Sequence, residues 1–209
     1  TAVAMGALIA PVQSWNTSRT RLFAAIVSAA IAGVCIVRFI PEILILRIAL
    51  GLLVAVSVIT LSKTSFVPAI SACILPILMG TKSPVYVISV AVMTAFILIF
   101  QKVLECFGLH EKYKYRPIEP SSELLKLRAK QVITVLVICI LPAHFYEIFF
   151  IAPPLIVAFF ELSGKGSKLM KRKYTAIALM AAAAFAGVMA RFFISEKLGP
   201  VSYTHLRAH

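Results

Sequence analysis

The chain of 209 residues is 61% hydrophobic and only 14% charged, with a mean hydropathy of +0.97; a soluble domain averages about half apolar and a quarter charged, so a water-solvated globule is excluded. Its 21 Lys and Arg stand against eight carboxylates, all Glu; without Asp no Ser-His-Asp set can form, no carboxylate pair suggests hydrolysis, and an enzyme is not expected. The net charge of +13 does not indicate nucleic acid either, because the basic residues lie between apolar spans with no aromatic interleaving or reader motif.

In chain order, the opening run TAVAMGALIAPV begins without Met, is too short to span a bilayer and lacks the charged start of a signal peptide. A preceding piece is expected. Residues 22–40 are nearly free of charge and long enough for one crossing at about 1.5 Å per residue. Pro41 and Glu42 break the run, and 43–61 make a second crossing, so the pair reads as a helical hairpin. Residues 65–80, SFVPAISACILPILMG, carry Pro68 near the start, where Pro is tolerated, and Pro76 in the interior, where it removes a backbone bond. A short, bent or re-entrant helix is expected there, followed by a crossing at 83–100.

The longest polar stretch then intervenes, and its PSSELL places Ser121 or Ser122 as the cap of a short amphipathic helix at the membrane surface. From Gln131 to Leu162 the chain is again apolar, interrupted by PAHFYE at 142–147 and APP at 152–154. Two short crossings fit, the second broken at Pro153 and Pro154. After the basic loop 163–173, residues 174–194 make a full crossing. If 102–130 is cytoplasmic, 14–21, Lys63 and 163–173 are as well; these four loops hold fifteen basic residues, against Arg38, Arg47, Lys82, Arg191 and Lys197 elsewhere before the tail. A multi-pass protein of the cell membrane follows.

An echo links AAIAGVCIVRF, 29–39, to AAFAGVMARFF, 183–193. Each copy follows a basic patch, Arg19/Arg21 or Lys171/Arg172/Lys173, and each patch follows a short apolar run. Both copies run from inside to outside, which marks a parallel repeat. The expected architecture is an all-α polytopic transmembrane bundle of two parallel repeats, some helices short and Pro-broken. Its parts are a first repeat at 1–102, a basic linker with the amphipathic helix at 103–129, a second repeat at 130–200 that lacks two or three crossings, and a non-native tail at 201–209. That tail, VSYTHLRAH, resembles the peptide left where a coding frame runs into sequencing-adapter DNA. It places His205 and His209 four apart, but a metal site would need a third ligand and a second shell, so no metal is expected.

Cys35, Cys73, Cys106 and Cys139 form no CxxC pair and read as small membrane side chains rather than zinc ligands or disulfides. SGKGSK at 163–168 lacks the full phosphate-loop spacing and reads as a flexible basic turn, so no cofactor is implied. Trp15, Tyr113 and Tyr115 fit interfacial anchors.

The stretch SFVPAISACILPILMGTKSPVYVISVAVMTAF resembles the Pro-Ala helix, Leu-Pro break and long crossing of the HPP family of integral membrane proteins, and MGALIAPVQSW and FIAPPLIVAFFEL resemble it more loosely. The resemblance covers about half the chain. Phe66-Val67-Pro68-Ala69 stands where Pro-Pro would be, and Ala152-Pro153-Pro154 lacks the His of the signature. The resemblance implies a membrane transporter, with nitrite proposed for plastid relatives.

Independently, broken helices expose N-termini whose free N–H groups attract anions. Ser65, Pro68 and Ser71 sit at one such start, and Pro153 and Pro154 at another. Of the ionisable groups in or at the ends of crossings, Arg38, Arg47, Glu147, Glu161 and Arg191, the two near outer ends, Arg38 and Arg191, either touch substrate or snorkel to the headgroups. Glu147 shares a helix face with His144 and either relays a proton or belongs to an exposed loop; Glu161 reads as an interface anchor. The function expected is secondary transport of a small anion, with the bilayer, that anion and a further copy of the chain as partners. The alternative is a non-transporting scaffold or subunit whose basic segment, with Lys112, Lys114 and Arg116, docks a partner or anionic lipid.

Overall fold

A computed structural model describes residues 15–107, 115, 117–119, 121–145 and 151–164, with single helical positions between 174 and 189. Residues Thr1–Glu161 form one compact unit and Leu162–His209 a second; the packing below belongs to the first. The described residues contain six helices and no strand: α1 (Arg19–Phe39), α2 (Leu44–Leu61), α3 (Ala69–Met79), α4 (Val85–Cys106), α5 (Ser122–His144) and α6 (Pro153–Leu162). With 21, 18 and 22 residues, α1, α2 and α4 are long and apolar enough to cross a bilayer.

Local signals explain the boundaries. Ser18 caps α1, its hydroxyl accepting from Arg21 N at 3.4 Å, so the helix starts three residues before the apolar run. Gly80 ends α3 at φ 62°, where a side chain would be strained. Ser121 caps α5 by accepting from Leu124 N at 3.2 Å. The amphipathic segment is not a separate surface helix: from this cap the chain stays helical through Gln131 into the apolar stretch, because nothing between Ser122 and Leu141 breaks the backbone ladder.

The short α3 lies at the centre, packed against α1 and α2, with α4 against α1 and α5 against α2. Its Ala69, Ile70, Cys73, Ile74, Pro76 and Ile77 are all buried. Close approach depends on two glycines. A Cβ at Gly33 of α1 would meet the Cys73 carbonyl oxygen and, at 2.7 Å, the Pro76 ring; one at Gly51 of α2 would meet Ile77 Cδ1 at 2.6 Å. Helices in lipid gain stability from such contact, since hydrocarbon offers no hydrophobic drive to associate.

Pro76 does not end α3, which runs continuously from Ala69 to Met79. Lacking an N–H, it leaves the Ala72 carbonyl without its helical donor. The Tyr86 hydroxyl of α4 donates to that oxygen at 2.9 Å. The outer face of α4, with Ile88, Val92, Phe96, Ile99 and Val103, is exposed at helical spacing, as suits a face in contact with lipid rather than water.

Arg47 is buried in α2, and its Nε and Nη2 donate to Ile40 O at 3.3 and 2.8 Å, just past the end of α1. A cation there complements the negative end of the helix dipole and closes the hairpin. Arg47→Met is expected to cost about 1–3 kcal/mol by leaving that carbonyl unpaired, read as a lower unfolding temperature in detergent; an unchanged temperature would show the contact to be dispensable.

Candidate functional site

The polar groups of the compact unit gather where α1 and α3 begin and α2, α4 and α6 end. Arg19, in the first turn of α1, pairs with Glu105 in the last turn of α4. Arg21, one turn into α1, donates from Nη1 to Ser62 O at 2.9 Å and to the Tyr115 hydroxyl at 2.7 Å, its guanidinium 4.9 Å from the Tyr115 ring centre. Tyr115 passes the bond on, donating to Lys63 O at 2.9 Å, and Ile118 N donates to the same oxygen at 3.1 Å. Lys63 stands at φ 53°, in the left-handed region; its carbonyl thus ties the polar linker to the turn between α2 and α3.

The segment before α1 closes the same end. Asn16 N donates to Ser65 Oγ at 2.8 Å, and Ser65 N donates back to Asn16 O at 3.3 Å. Trp15 donates from Nε1 to Glu161 Oε1 at 3.0 Å and meets the Phe66 ring edge-on, centroids 5.1 Å apart. One side chain therefore joins the start of α3 to the end of α6. Between these contacts Thr64 is 4% exposed and its hydroxyl has no hydrogen-bond partner among the described residues. A buried hydroxyl left this way costs about 1–3 kcal/mol, so Thr64 is the place at this end where a polar ligand would gain most.

The expected site residues divide accordingly. Ser65 and Pro68 both lie at the start of α3, and Ser65 Oγ accepts from Asn16 N while its own O–H can still donate. Ser71 lies one turn further, its hydroxyl donating to Pro68 O at 2.7 Å. Pro153 and Pro154 open α6, but Trp15 holds the other end of that helix at Glu161, so they stand roughly 12 Å along the helix from that contact at 1.5 Å per residue. The two Pro-marked helix starts are not brought together. Arg38 is exposed in the last turn of α1, at the opposite end of that helix from Arg19 and Arg21. Glu147, Arg191, Tyr113, Lys112, Lys114, Arg116, His205 and His209 lie outside the described residues, as does most of the second Ala-Gly-Val copy.

Sequence reasoning missed Thr64, whose only signal was its place beside Ser65, and Tyr86, which stands ten residues after Pro76 and serves the Ala72 carbonyl that this Pro leaves without a donor. It also passed over Arg128 and Gln131, polar residues one turn apart where the apolar stretch of α5 begins. Among the described residues no group of three His, Cys or Glu side chains is placed to hold a metal. Comparison with known proteins finds no matching family model, no matching curated protein and no matching solved structure.

Proposed function

We propose that the chain is part of an HPP-like membrane protein of two parallel repeats that carries a small anion, nitrite-like in kind, across the cell membrane. The supporting observation is the start of α3: a short helix buried among long ones, with an unpartnered Thr64 hydroxyl and the Ser65 hydroxyl beside its N-terminus. Two hydroxyl donors and a positive dipole end favour an anion over a cation. The residues that collect at this end, Arg19, Arg21, Lys63 and Tyr115 among them, belong to loops that the charge count assigns to the cytoplasm, so the anion would meet α3 from that side.

Flux of nitrite, nitrate and chloride into proteoliposomes tests this reading. Thr64→Val removes an orphan hydroxyl and is expected to leave the unfolding temperature unchanged or raised, while flux falls about tenfold for the loss of one hydrogen bond to a charged ligand. Pro68→Ala should lower flux with folding intact. No flux above empty vesicles for any of the three ions would refute transport.

The scaffold reading draws support from Tyr115 and Ile118, which pin the basic linker against the α2–α3 turn. It expects a cytoplasmic partner or lipid to be retained through purification and lost when Lys112, Lys114 and Arg116 become Gln.

A further inference from the structure

Arg128 stands one turn before the apolar stretch of α5 begins. It is half-buried, its guanidinium lies 5.9 Å from the centre of the Phe160 ring, and its Nη1 donates to Gln131 Oε1 at 3.3 Å. Gln131 is buried and fixed in turn, its Nε2 donating to Phe160 O at 3.2 Å. Among the described residues no carboxylate lies within ion-pair distance of Arg128. A guanidinium stays charged at every physiological pH and presents five N–H donors in a rigid fork. One amide contact leaves most of that fork unused, on a side chain whose orientation the ring and the amide already hold.

The depth of the residue indicates what would complete it. Ile133, Val137, Ile140 and Leu141 are exposed on the outer face of α5, which assigns that face to hydrocarbon. Arg128 precedes Ile133 by five residues, about 7.5 Å along the helix, and so falls at headgroup level. A cation held between helices at that level is the arrangement that takes anionic headgroups. We propose that Arg128, braced by Phe160 and Gln131, binds a phosphate oxyanion through its free fork, two N–H groups to two oxygens. The site uses none of the groups at the start of α3 and stands or falls apart from the transport reading.

The test uses the full chain purified in neutral detergent. Retention of phosphatidylglycerol and of phosphatidylcholine is read by native mass spectrometry, and unfolding is followed in sodium phosphate against sodium chloride at equal ionic strength. Phosphatidylglycerol is expected to be retained about tenfold over phosphatidylcholine, the worth of one charge-assisted bidentate contact. Arg128→Gln should abolish the preference, while Lys126→Gln, which removes an exposed charge two residues away, should leave it. Stabilisation by inorganic phosphate without lipid preference, lost in the same variant, would assign the site to a free anion. Equal losses in both variants would overturn the proposal in favour of diffuse attraction, as would no lipid preference and no phosphate effect in the native chain. Should Arg128→Gln fail to fold, Arg128→Lys keeps the charge and removes the fork; undiminished retention in that variant would equally overturn it.

Discussion

Gly33→Ala is expected to lower the unfolding temperature in detergent by about 4–12 °C, from about 2–3 kcal/mol of overpacking at roughly 2–4 °C per kcal/mol in a chain of this size. The new methyl would meet the Cys73 carbonyl and the Pro76 ring. Backbone and a closed ring have no rotamer to retreat into, so α1 and α3 must move apart and weaken the contacts along Ala29, Val37, Ile70 and Ile77. Gly51→Ala is the control. Its methyl would meet the Cδ1 atoms of Ile77 and Ile74, at 2.6 and 3.1 Å, and these flexible ends can turn away at a cost below about 1 kcal/mol. Equal losses in the two variants would show that the α1–α3 approach does not limit stability.

The second large effect concerns the carbonyl freed by Pro76. Tyr86→Phe removes the hydroxyl that donates to Ala72 O and is expected to cost about 1–3 kcal/mol, because lipid offers no water to replace it. Pro76→Ala returns an N–H to the helix ladder, and in that background the same Tyr86→Phe change should cost less than about 0.5 kcal/mol. The cycle thus predicts a coupling of about 1–2 kcal/mol between residues on different helices. Identical costs in both backgrounds would mean that the hydroxyl and the missing N–H are unrelated. The tyrosine thus lets α3 keep a helix-breaking residue and remain one continuous helix from Ala69 to Met79.

Some helix boundaries were legible because their signals are local, the end of α1 and both ends of α2 among them. Ser121 satisfies a free N–H group at the start of α5, and Pro41 stands just past the end of α1; Ser18 and Gly80, which cap α1 and end α3, were not read. The three described helices long and apolar enough to cross a bilayer were legible for a related reason, since a helix crossing hydrocarbon must hold about twenty apolar residues in a row; the crossing expected at 174–194 lies outside the described residues but for single helical positions. The amphipathic linker helix misled because charge marks the depth at which a helix leaves the membrane, not the point at which it ends. Of the expected site residues, Ser65 and Pro68 lie at the start of α3, while Pro153 and Pro154 lie at the end of α6 away from Trp15; helix direction relative to a neighbour is set by packing, which no spacing records.

The sequence by itself thus marked the apolar character of this protein, three helices among the described residues that are long and apolar enough to cross a bilayer, and the cap at Ser121. Only the tertiary structure decided that the shortest of the apolar helices α1 to α4 is the central one, that Gly33 is small because a carbonyl passes beside it, and that Tyr86 repairs Pro76. The physical reason is that lipid and protein interior are both apolar. In water, an apolar stripe announces the face a helix buries; in a bilayer the inner and outer faces of α1 to α4 read alike, and only contact tells them apart.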